Sequence, residues 1–274
     1  MRNLAPNTQI DYKGKIERHI KPVLGKYKLV SLESDIIQKW IDKKKDEGYA
    51  QSMIKNMLSC LSGALNYAVQ PCKYIKANPC FYVTVPKVPV KEDRKAHTEY
   101  ICIREDWQAI IQRFPEGSIF YLALLTGYHC GTRIGETYGI DLLQDIDFET
   151  NTLHIRHQIQ KEKGIWRYRH PKYNSVRSIK IDPVYADALK AEIHARKLNQ
   201  IKYGQYFTKT YVKPDDSLIQ ATADTVLPYR EIMPICAREN GKLLTPDSFK
   251  YCARVVHNEL NNPLFHSHCL RHTH

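Results

Sequence analysis

The sequence predicts a mainly helical protein that also contains a small antiparallel β-sheet. Over much of the first ninety residues, apolar side chains recur every three or four positions, which is typical of amphipathic helices. From Thr152 onward they alternate with polar side chains instead, as in half-buried strands. A length of 274 residues and a hydrophobic content of 43% suffice for two domains that each bury a core.

Three helices are predicted in the N-terminal part, over residues 7–25 and 34–48 and from residue 52 onward. Gly25 and Gly48 are expected to end the first and the second helix. Each helix has a single apolar stripe, so the three are expected to pack against one another.

Basic side chains on the polar faces of these helices are expected to form a surface that follows a phosphate backbone: Lys13, Lys15, Arg18, Lys43, Lys44, Lys45 and Lys55. The net charge is +12, and residues 1–100 hold 18 Lys and Arg against 10 Asp and Glu, a difference of +8. Such a surface attracts polyanions through salt-sensitive contacts, so a nucleic acid is the leading partner. A basic balance also serves solubility alone, and any single lysine is more often a solvated surface residue.

Residues 85–102 combine prolines with charged side chains and lack helical periodicity. This composition predicts a linker that separates a helical domain, residues 1–84, from a second domain, residues 103–274. A hinge at the linker would let the two domains close around a rod-shaped ligand.

The second domain is predicted to combine helices with one small antiparallel sheet. Its strands are expected from Leu153 to Ile159, through Trp166 and Tyr168 on the return, and over residues 176–181. Residues 202–236 are rich in tyrosine but only weakly periodic, so they receive no assignment. The expected helices of this domain cover residues 104–113, 119–126, 184–200 and 245–260.

Two classes of protein are excluded by composition. The eight cysteines include no CxxC pair and no zinc-finger spacing, so neither a disulfide framework nor zinc knuckles are expected. No run of eighteen apolar residues and no N-terminal apolar signal are found, so the protein is expected to be cytoplasmic.

Four side chains stand at element ends, where they can reach a ligand: Arg133, Lys172, His268 and Arg271. Residues three apart project from one face of a helix, so His268 and Arg271 can converge on a single anion, for which a phosphate is expected. Arg133 lies in a glycine-flanked turn that lets the backbone approach a ligand while the guanidinium grips two oxygens. Lys172, in a turn between strands, can protonate a leaving oxygen.

Each of these residues also has a plainer interpretation. An arginine at a helix start is ordinarily a surface residue, and most lysines in hairpin turns only contact water. Glu136 can orient Arg133 or merely complement the helix dipole. The histidine-rich end is also compatible with zinc, although no carboxylate is spaced to complete a site and Arg271 would repel the cation. The candidate zinc ligands are His266, His268, Cys269, His272 and His274.

Several motifs together resemble the tyrosine recombinase, or phage integrase, family. In the second domain they are Thr126-Gly127 through Thr132-Arg133-Ile134-Gly135-Glu136, Pro171-Lys172 before Ser175-Val176-Arg177-Ser178-Ile179, and His268-Cys269-Leu270-Arg271-His272-Thr273. The N-terminal half is similar in Tyr12, in residues 19–25 and in Asn78-Pro79. Each motif alone is weak, but their order and spacing are specific.

The resemblance implies a helical SAM-like core DNA-binding domain followed by an α+β catalytic domain. It implies site-specific recombination of a mobile element through a phosphotyrosine intermediate, with double-stranded DNA as partner, assembly into a synaptic tetramer, and no cofactor or metal. Arg133 and Arg271 would clamp the scissile phosphate, and His268 would take part in proton transfer. Lys172 would be the general acid, whereas Glu136 and His272 would support the site.

The sequence departs from the family pattern after its last motif. Family members continue to a nucleophilic tyrosine, whereas His274 is the last residue here, so the catalytic domain is expected to be C-terminally incomplete and unable to cut DNA in cis. Tyr251 lies before the last motif and is not expected to replace that nucleophile. A recombinase, a non-catalytic DNA-binding remnant or competitor, and a zinc-dependent nuclease therefore remain as hypotheses.

Overall fold

The computed structural model describes residues 4–89 and 100–274. The described residues form two compact units, 4–89 and 100–274, and each has its own hydrophobic core. Most of the predicted linker, residues 85–102, lies outside the described residues. The boundaries given to the linker and the two domains therefore stay predictions.

The N-terminal unit is helical, as predicted. Its helices are α1, Pro6–Lys15, which continues through a π-helical turn, Ile16–Ile20, into α2, Lys21–Leu24, then α3, Ser34–Asp46, and α4, Gln51–Val69. The wide turn comes just before Pro22, whose nitrogen has no hydrogen to donate to the preceding turn. Gly25 follows as the C-cap of α2, as expected.

One tryptophan joins these helices. Trp40 on α3 is 2% exposed, and its indole Nε1 donates a hydrogen bond to the carbonyl oxygen of His19 at 3.0 Å. Ile37 and Ile41 flank it on the buried face, and Gly48 after the helix has a φ of +83°. Packing across this face supplies stability that no single short helix has in water.

Two of the seven basic residues expected on the surface are buried instead. Lys15 and Lys44 are 7% and 5% exposed, and they form ion pairs with Asp11 and Glu47. The prediction for these two was wrong because a long aliphatic stem can lie along an apolar face while the amine reaches a nearby carboxylate. The other five are exposed: Lys13, Arg18, Lys43, Lys45 and Lys55.

The second unit contains the predicted mixture of helices and strands. Its helices are α5, Arg104–Arg113, α6, Tyr121–Cys130, α7, Ile134–Tyr138, α8, Pro183–Tyr203, α9, Phe249–Glu259, and α10, Ser267–Thr273. Its strands are β1, Ile146–Asp147, β2, Thr152–Ile155, β3, Gln158–Glu162, β4, Ile165–Arg169, β5, Arg177–Lys180, β6, Thr208–Val212, β7, Leu218–Thr222, and β8, Arg230–Ile232. All the strand pairs are antiparallel.

The single sheet that the sequence predicts is divided into two. β2 pairs with β1 and β5, whereas β3 pairs only with β4. The chain leaves the first sheet at Arg156 and His157 because the end of α7 packs directly on β3. A Cβ atom on Gly139 would lie 2.6 Å from the Cα atom of Gln158, and the ring of His157 stacks on Tyr168 at 4.3 Å.

A third sheet, in the order β7-β6-β8, occupies most of the region left unassigned. In its central strand, β6, buried and exposed residues do not alternate, because the neighbouring residues Thr210 and Tyr211 are both buried. Asp216, in the turn that follows, has a φ of +63°.

Helix α6 lies at the centre of this unit. Its residues from Leu122 to Gly127 are all buried, and the hydroxyl groups of Thr126 and Tyr185 are 2.6 Å apart, which joins α6 to α8. Within the described ranges, every helix is too short or too polar to cross a bilayer. The C-terminal end of α6 leads directly into the turn that carries Arg133.

Candidate active site

The turn after α6 brings two distant parts of the chain together. Gly131 follows the helix in the left-handed region, with φ +56° and ψ +30°. Its carbonyl oxygen accepts a hydrogen bond from Nη1 of Arg271 at 2.6 Å. A Cβ atom on Gly131 would lie 2.7 Å from the imidazole ring of His274, so glycine is required both by the conformation and by the contact.

Close packing holds α10 against α6. A Cβ atom on Gly127 would lie 2.9 Å from Cδ1 of Leu270, which is 1% exposed. Thr132, also buried, contacts Thr137 through their hydroxyl oxygens, 2.7 Å apart. The turn is therefore fixed from both sides, and the two arginines are held by the same short segment.

Arg133 is fixed by a buried carboxylate one helical turn later. Glu136 is completely buried, and its Oε1 accepts a hydrogen bond from Nη1 of Arg133 at 2.7 Å. Its Oε2 accepts from the backbone N–H of Arg133 at 3.0 Å, which caps α7. The Arg133 side chain remains 34% exposed, so the guanidinium lies at the border between protein and solvent.

Glu136 also holds a second guanidinium, that of Arg177. Nη2 of Arg177 on β5 donates to Oε2 of Glu136 at 2.8 Å. Burial raises the pKa of the Glu136 carboxyl, but the hydrogen bonds from Arg177 and Arg133 outweigh burial, so its pKa lies below the ordinary value. Two guanidiniums, those of Arg133 and Arg177, therefore share one ionised carboxylate, whose charge also acts on Arg271.

Positive charges that lie close together lower the pKa values of Arg271 and His268. Burial and the charges of Arg133 and Arg177 lower the pKa of Arg271, whereas Glu136 raises it in part. The pKa of His268 is also lowered, by burial first and then by His272, Arg271 and Arg133. A pocket with more positive than negative charge favours an anion.

The predicted helix around His268 and Arg271 is α10. Cys269 and Leu270 face the core, whereas His268 and His272 are exposed and touch edge to face, with ring centroids 4.7 Å apart. His268 and Arg271 therefore lie on the solvent side of the helix. The structure thus brings Arg133, Glu136, His268 and Arg271 into one neighbourhood, with His272 at its edge.

Lys172 is not brought into contact with this group. It is exposed in the segment between β4 and β5, and Tyr173 and Asn174 after it have φ values of +60° and +51°. Over the residues that the structure describes, the side-chain amine of Lys172 makes no hydrogen bond or ion pair, although its carbonyl oxygen accepts from the backbone N–H of Ser175. Its role in the site remains a prediction.

Arg177 is the residue that sequence reasoning missed. It belongs to one of the motifs quoted above, but only its pairing with Glu136, 41 positions earlier, reveals a role. A conspicuous arginine at the start of a predicted strand was the available signal, and strand arginines are common.

The histidine-rich end offers zinc no set of ligands in this arrangement. Among residues 4–89 and 100–274, no three His, Cys, Asp or Glu side chains are placed to hold one metal ion. Cys269 points into the core and is 0% exposed.

Comparisons with known proteins place the sequence near the integrases. A family model described as phage integrase, N-terminal SAM-like domain, matches residues 2–45. The chain is 27% identical over 215 residues to a tyrosine recombinase XerC-like protein of Caldanaerobacter subterraneus subsp. tengcongensis, covering 74% of this chain and 54% of that protein. It therefore spans about half the length of this curated relative.

Solved structures of integrases share the fold. The Tn1549 transposon integrase in complex with transposon right end DNA matches with a TM-score of 0.69 and 21% identity, covering 99% of this chain and 80% of that chain. A lambda integrase dimer bound to a COC′ core site matches with a TM-score of 0.59 and 16% identity, covering 99% and 64%. A lambda integrase tetramer bound to a Holliday junction matches with a TM-score of 0.59 and 17% identity, covering 99% and 67%. The predicted fold class is confirmed.

Proposed function

We propose that this chain, which belongs to the tyrosine recombinase family, holds a DNA phosphate between Arg133 and Arg271 during site-specific recombination of a mobile element. One observation carries the proposal. Both guanidiniums are fixed through a single Nη atom, Arg133 to Glu136 and Arg271 to the carbonyl oxygen of Gly131. Their other N–H groups have no hydrogen-bond partner among the described residues, and they can therefore bind the non-bridging oxygens of a phosphate.

Such a clamp is suited to phosphoryl transfer. In an in-line displacement, negative charge on the non-bridging oxygens must be neutralised, and fixed cations do this without reorganising during the reaction. Burial removes water from around the Arg271 guanidinium, and the positive charge of Arg133 repels it. Both effects lower the pKa of Arg271. A bound phosphate relieves that repulsion.

Proton transfer completes the proposed reaction. The phenolate oxygen of a tyrosine forms a bond to phosphorus, the bond from phosphorus to the 5′ oxygen of deoxyribose breaks, and that oxygen takes a proton. We assign this proton to Lys172, whose exposed segment is free to approach bound DNA, and a proton-handling role at the phosphate to His268. The lowered pKa of His268 keeps the ring neutral near pH 7, so it can accept a proton.

The nucleophile is assigned to none of the described residues. Among them, no tyrosine hydroxyl hydrogen-bonds to Arg133, His268 or Arg271. Tyr251 is 59% exposed, and its ring lies against Phe120 with the centroids 6.2 Å apart. We therefore propose that these residues alone bind DNA without cutting it.

DNA and further copies of the chain are the proposed partners. The N-terminal unit carries exposed basic side chains on several helices, and such a surface binds the phosphate backbone independently of base sequence. Assembly on DNA is supported by the lambda integrase dimer and tetramer on DNA, which share this fold.

Two assays test the proposal. Duplexes enriched from a random pool by repeated binding give a target, and Arg133→Ala is expected to weaken binding to it about tenfold or more, as for lost charged hydrogen bonds. Arg113→Gln, which removes a surface ion pair to Glu259 and a contact with the Phe114 ring, is the matched control and is expected to bind like the parent chain. Equal affinities of Arg133→Ala and the control would contradict the clamp.

Covalent chemistry is tested on suicide substrates, which are duplexes nicked so that the cut fragment diffuses away. The 274-residue chain is expected to form no adduct, whereas a version extended by a tyrosine-bearing C-terminal segment is expected to form one. Adding Arg133→Ala to the extended version is expected to abolish the adduct.

A second candidate function is a non-catalytic DNA-binding protein that occupies or competes for a recombination site. The observation in its favour is the lack of contact between any described tyrosine hydroxyl and the arginine pair. It predicts salt-dependent DNA binding in both versions and no adduct even from the extended one.

A further inference from the structure

Arg177 approaches the site from a different direction than the residues assigned above. It lies on β5, opposite Ile155 of β2, so its backbone is fixed by the sheet. Its side chain is 29% exposed, and Nη2 reaches Oε2 of Glu136 at 2.8 Å. Nη1 lies 3.4 Å from the carbonyl oxygen of Ser175, a weak second contact that also points away from solvent.

Glu136 alone is a poor support for Arg133. Without Arg177, the described residues hold the Glu136 carboxylate only through Arg133, whose Nη1 donates to Oε1 and whose backbone N–H donates to Oε2. Arg177 adds a fixed point from the sheet, and Oε1 then stays directed at Arg133. A carboxylate that accepts from one guanidinium at Oε1 and from another at Oε2 is held more firmly than one with a single partner.

We propose that Arg177 is a positioning residue: it holds the Glu136 carboxylate in place and thereby orients Arg133 toward Arg271. The inference rests on the proposed phosphate clamp and extends it to a third arginine. In this scheme Arg177 acts on the phosphate only through Glu136, to which its Nη2 donates. A bound anion instead meets a prealigned pair, which avoids the entropy lost in ordering a flexible side chain.

Substitutions that remove a charge can distinguish whether Arg177 positions Glu136 or only attracts the anion through its own positive charge. If Arg177 acts only as a positive charge, then Arg177→Gln weakens anion binding while Glu136→Gln strengthens it, since a negative charge is lost. If Arg177 acts through Glu136, both substitutions weaken binding, and the double variant is no worse than either single one. The two residues form one network, so non-additivity is the expected signature.

The experiment measures the affinity of the full chain for inorganic phosphate by calorimetry, at a temperature well below unfolding. Arg177→Gln and Glu136→Gln are each expected to weaken it about tenfold, and the double variant by the same factor. Arg177→Lys, which keeps one donor toward Glu136, is expected to restore part of the affinity, and Arg113→Gln to change nothing. If Arg177→Gln fails to fold, the comparison of Arg177→Lys with the parent chain decides, with a reduced affinity expected.

Three outcomes overturn the inference. They are an additive double variant, a tighter-binding Glu136→Gln, or an Arg177→Gln that lowers the unfolding midpoint but leaves phosphate affinity unchanged. Failure of the clamp itself is recognised separately, because Arg133→Ala and the parent chain would then bind phosphate equally.

Discussion

Gly131 and Arg271 lie 140 positions apart in the sequence, yet Nη1 of Arg271 donates to the Gly131 carbonyl oxygen at 2.6 Å. The bond depends on the left-handed conformation of Gly131, which turns its carbonyl toward α10. Arg133 leaves the same turn two residues later. This turn therefore contacts both arginines and contributes to how they are placed relative to each other.

Gly131→Ala is expected to destabilise the chain and to weaken phosphate binding. The left-handed conformation costs a residue with a Cβ atom roughly 1 kcal/mol, and the contact with His274 adds to this cost. Urea unfolding and phosphate calorimetry measure the two effects. Gly63→Ala, in α4 where a Cβ atom meets nothing within 4 Å, is the matched control and is expected to stabilise by roughly 0.5–1 kcal/mol.

Leu270→Ala is expected to loosen α10. The side chain is 1% exposed and packs on Gly127, and truncating a buried leucine costs about 2–5 kcal/mol. Phosphate affinity should fall as well, because α10 carries both His268 and Arg271. Leu198→Ala, at a 53% exposed position, should change neither unfolding nor binding. Unaltered phosphate affinity in a folded Leu270→Ala variant would show that α10 is held by other contacts.

Lys55→Gln is expected to reduce the salt dependence of DNA binding. An exposed lysine that contacts a phosphate contributes about one unit to the slope of log affinity against log salt concentration. Lys15→Met should leave that slope unchanged, since Lys15 is 7% exposed. Fluorescence anisotropy between 50 and 300 mM salt, roughly the range where such slopes are steep, gives both values. Identical slopes for the parent and Lys55→Gln would remove α4 from the DNA-binding surface.

His157 is expected to make stability depend on pH. Burial lowers its pKa to about 4, and the charges of Arg230, His170 and Arg156 act in the same direction, while Asp216 opposes them. In the unfolded chain its pKa is about 6.5, so the unfolded state binds the proton first and the free energy of unfolding falls as pH drops from 6.5 toward 4. The loss by pH 5.5 is roughly 1 kcal/mol.

His157→Phe keeps an aromatic ring on Tyr168 but cannot titrate, so it should lose less stability than the parent chain over this range. Asp145, whose pKa burial raises to about 6, contributes with the opposite sign but is present in both chains. Urea unfolding at several pH values between 7.5 and 5.5, about the span in which the unfolded histidine titrates, makes the comparison. Parallel pH profiles would mean that His157 is not the titrating group.

Several helices were predictable because they have a local, one-sided apolar pattern, as α3, α4 and α9 do. Helix α5 occurs at its expected residues, and α10 places His268 and Arg271 on one face as their spacing predicts. The sheets were less predictable, since the break at Arg156 and His157 comes from contact with α7 and not from the local sequence.

In the candidate site, too, some contacts follow from the local sequence and others from parts of the chain that are far apart in sequence. Arg133 is the N-cap of α7 and Glu136 its third residue, so their pairing is a local capping interaction. The role of Arg177 depends on the pairing of β5 with β2, which no local pattern specifies. Lys172 lies in an irregular segment, next to Tyr173 and Asn174 with positive φ, and periodicity carries no information there.

The completely buried carboxylate of Glu136 has one more consequence. Mobile ions cannot come between it and its two arginines, so added salt cannot screen that interaction as it screens exposed charges on the helical unit. Raising ionic strength should therefore detach the protein from the duplex long before it disturbs the geometry of the arginine pair. In the proposed complex, the overall affinity for DNA and the alignment at one phosphate should therefore respond to salt separately.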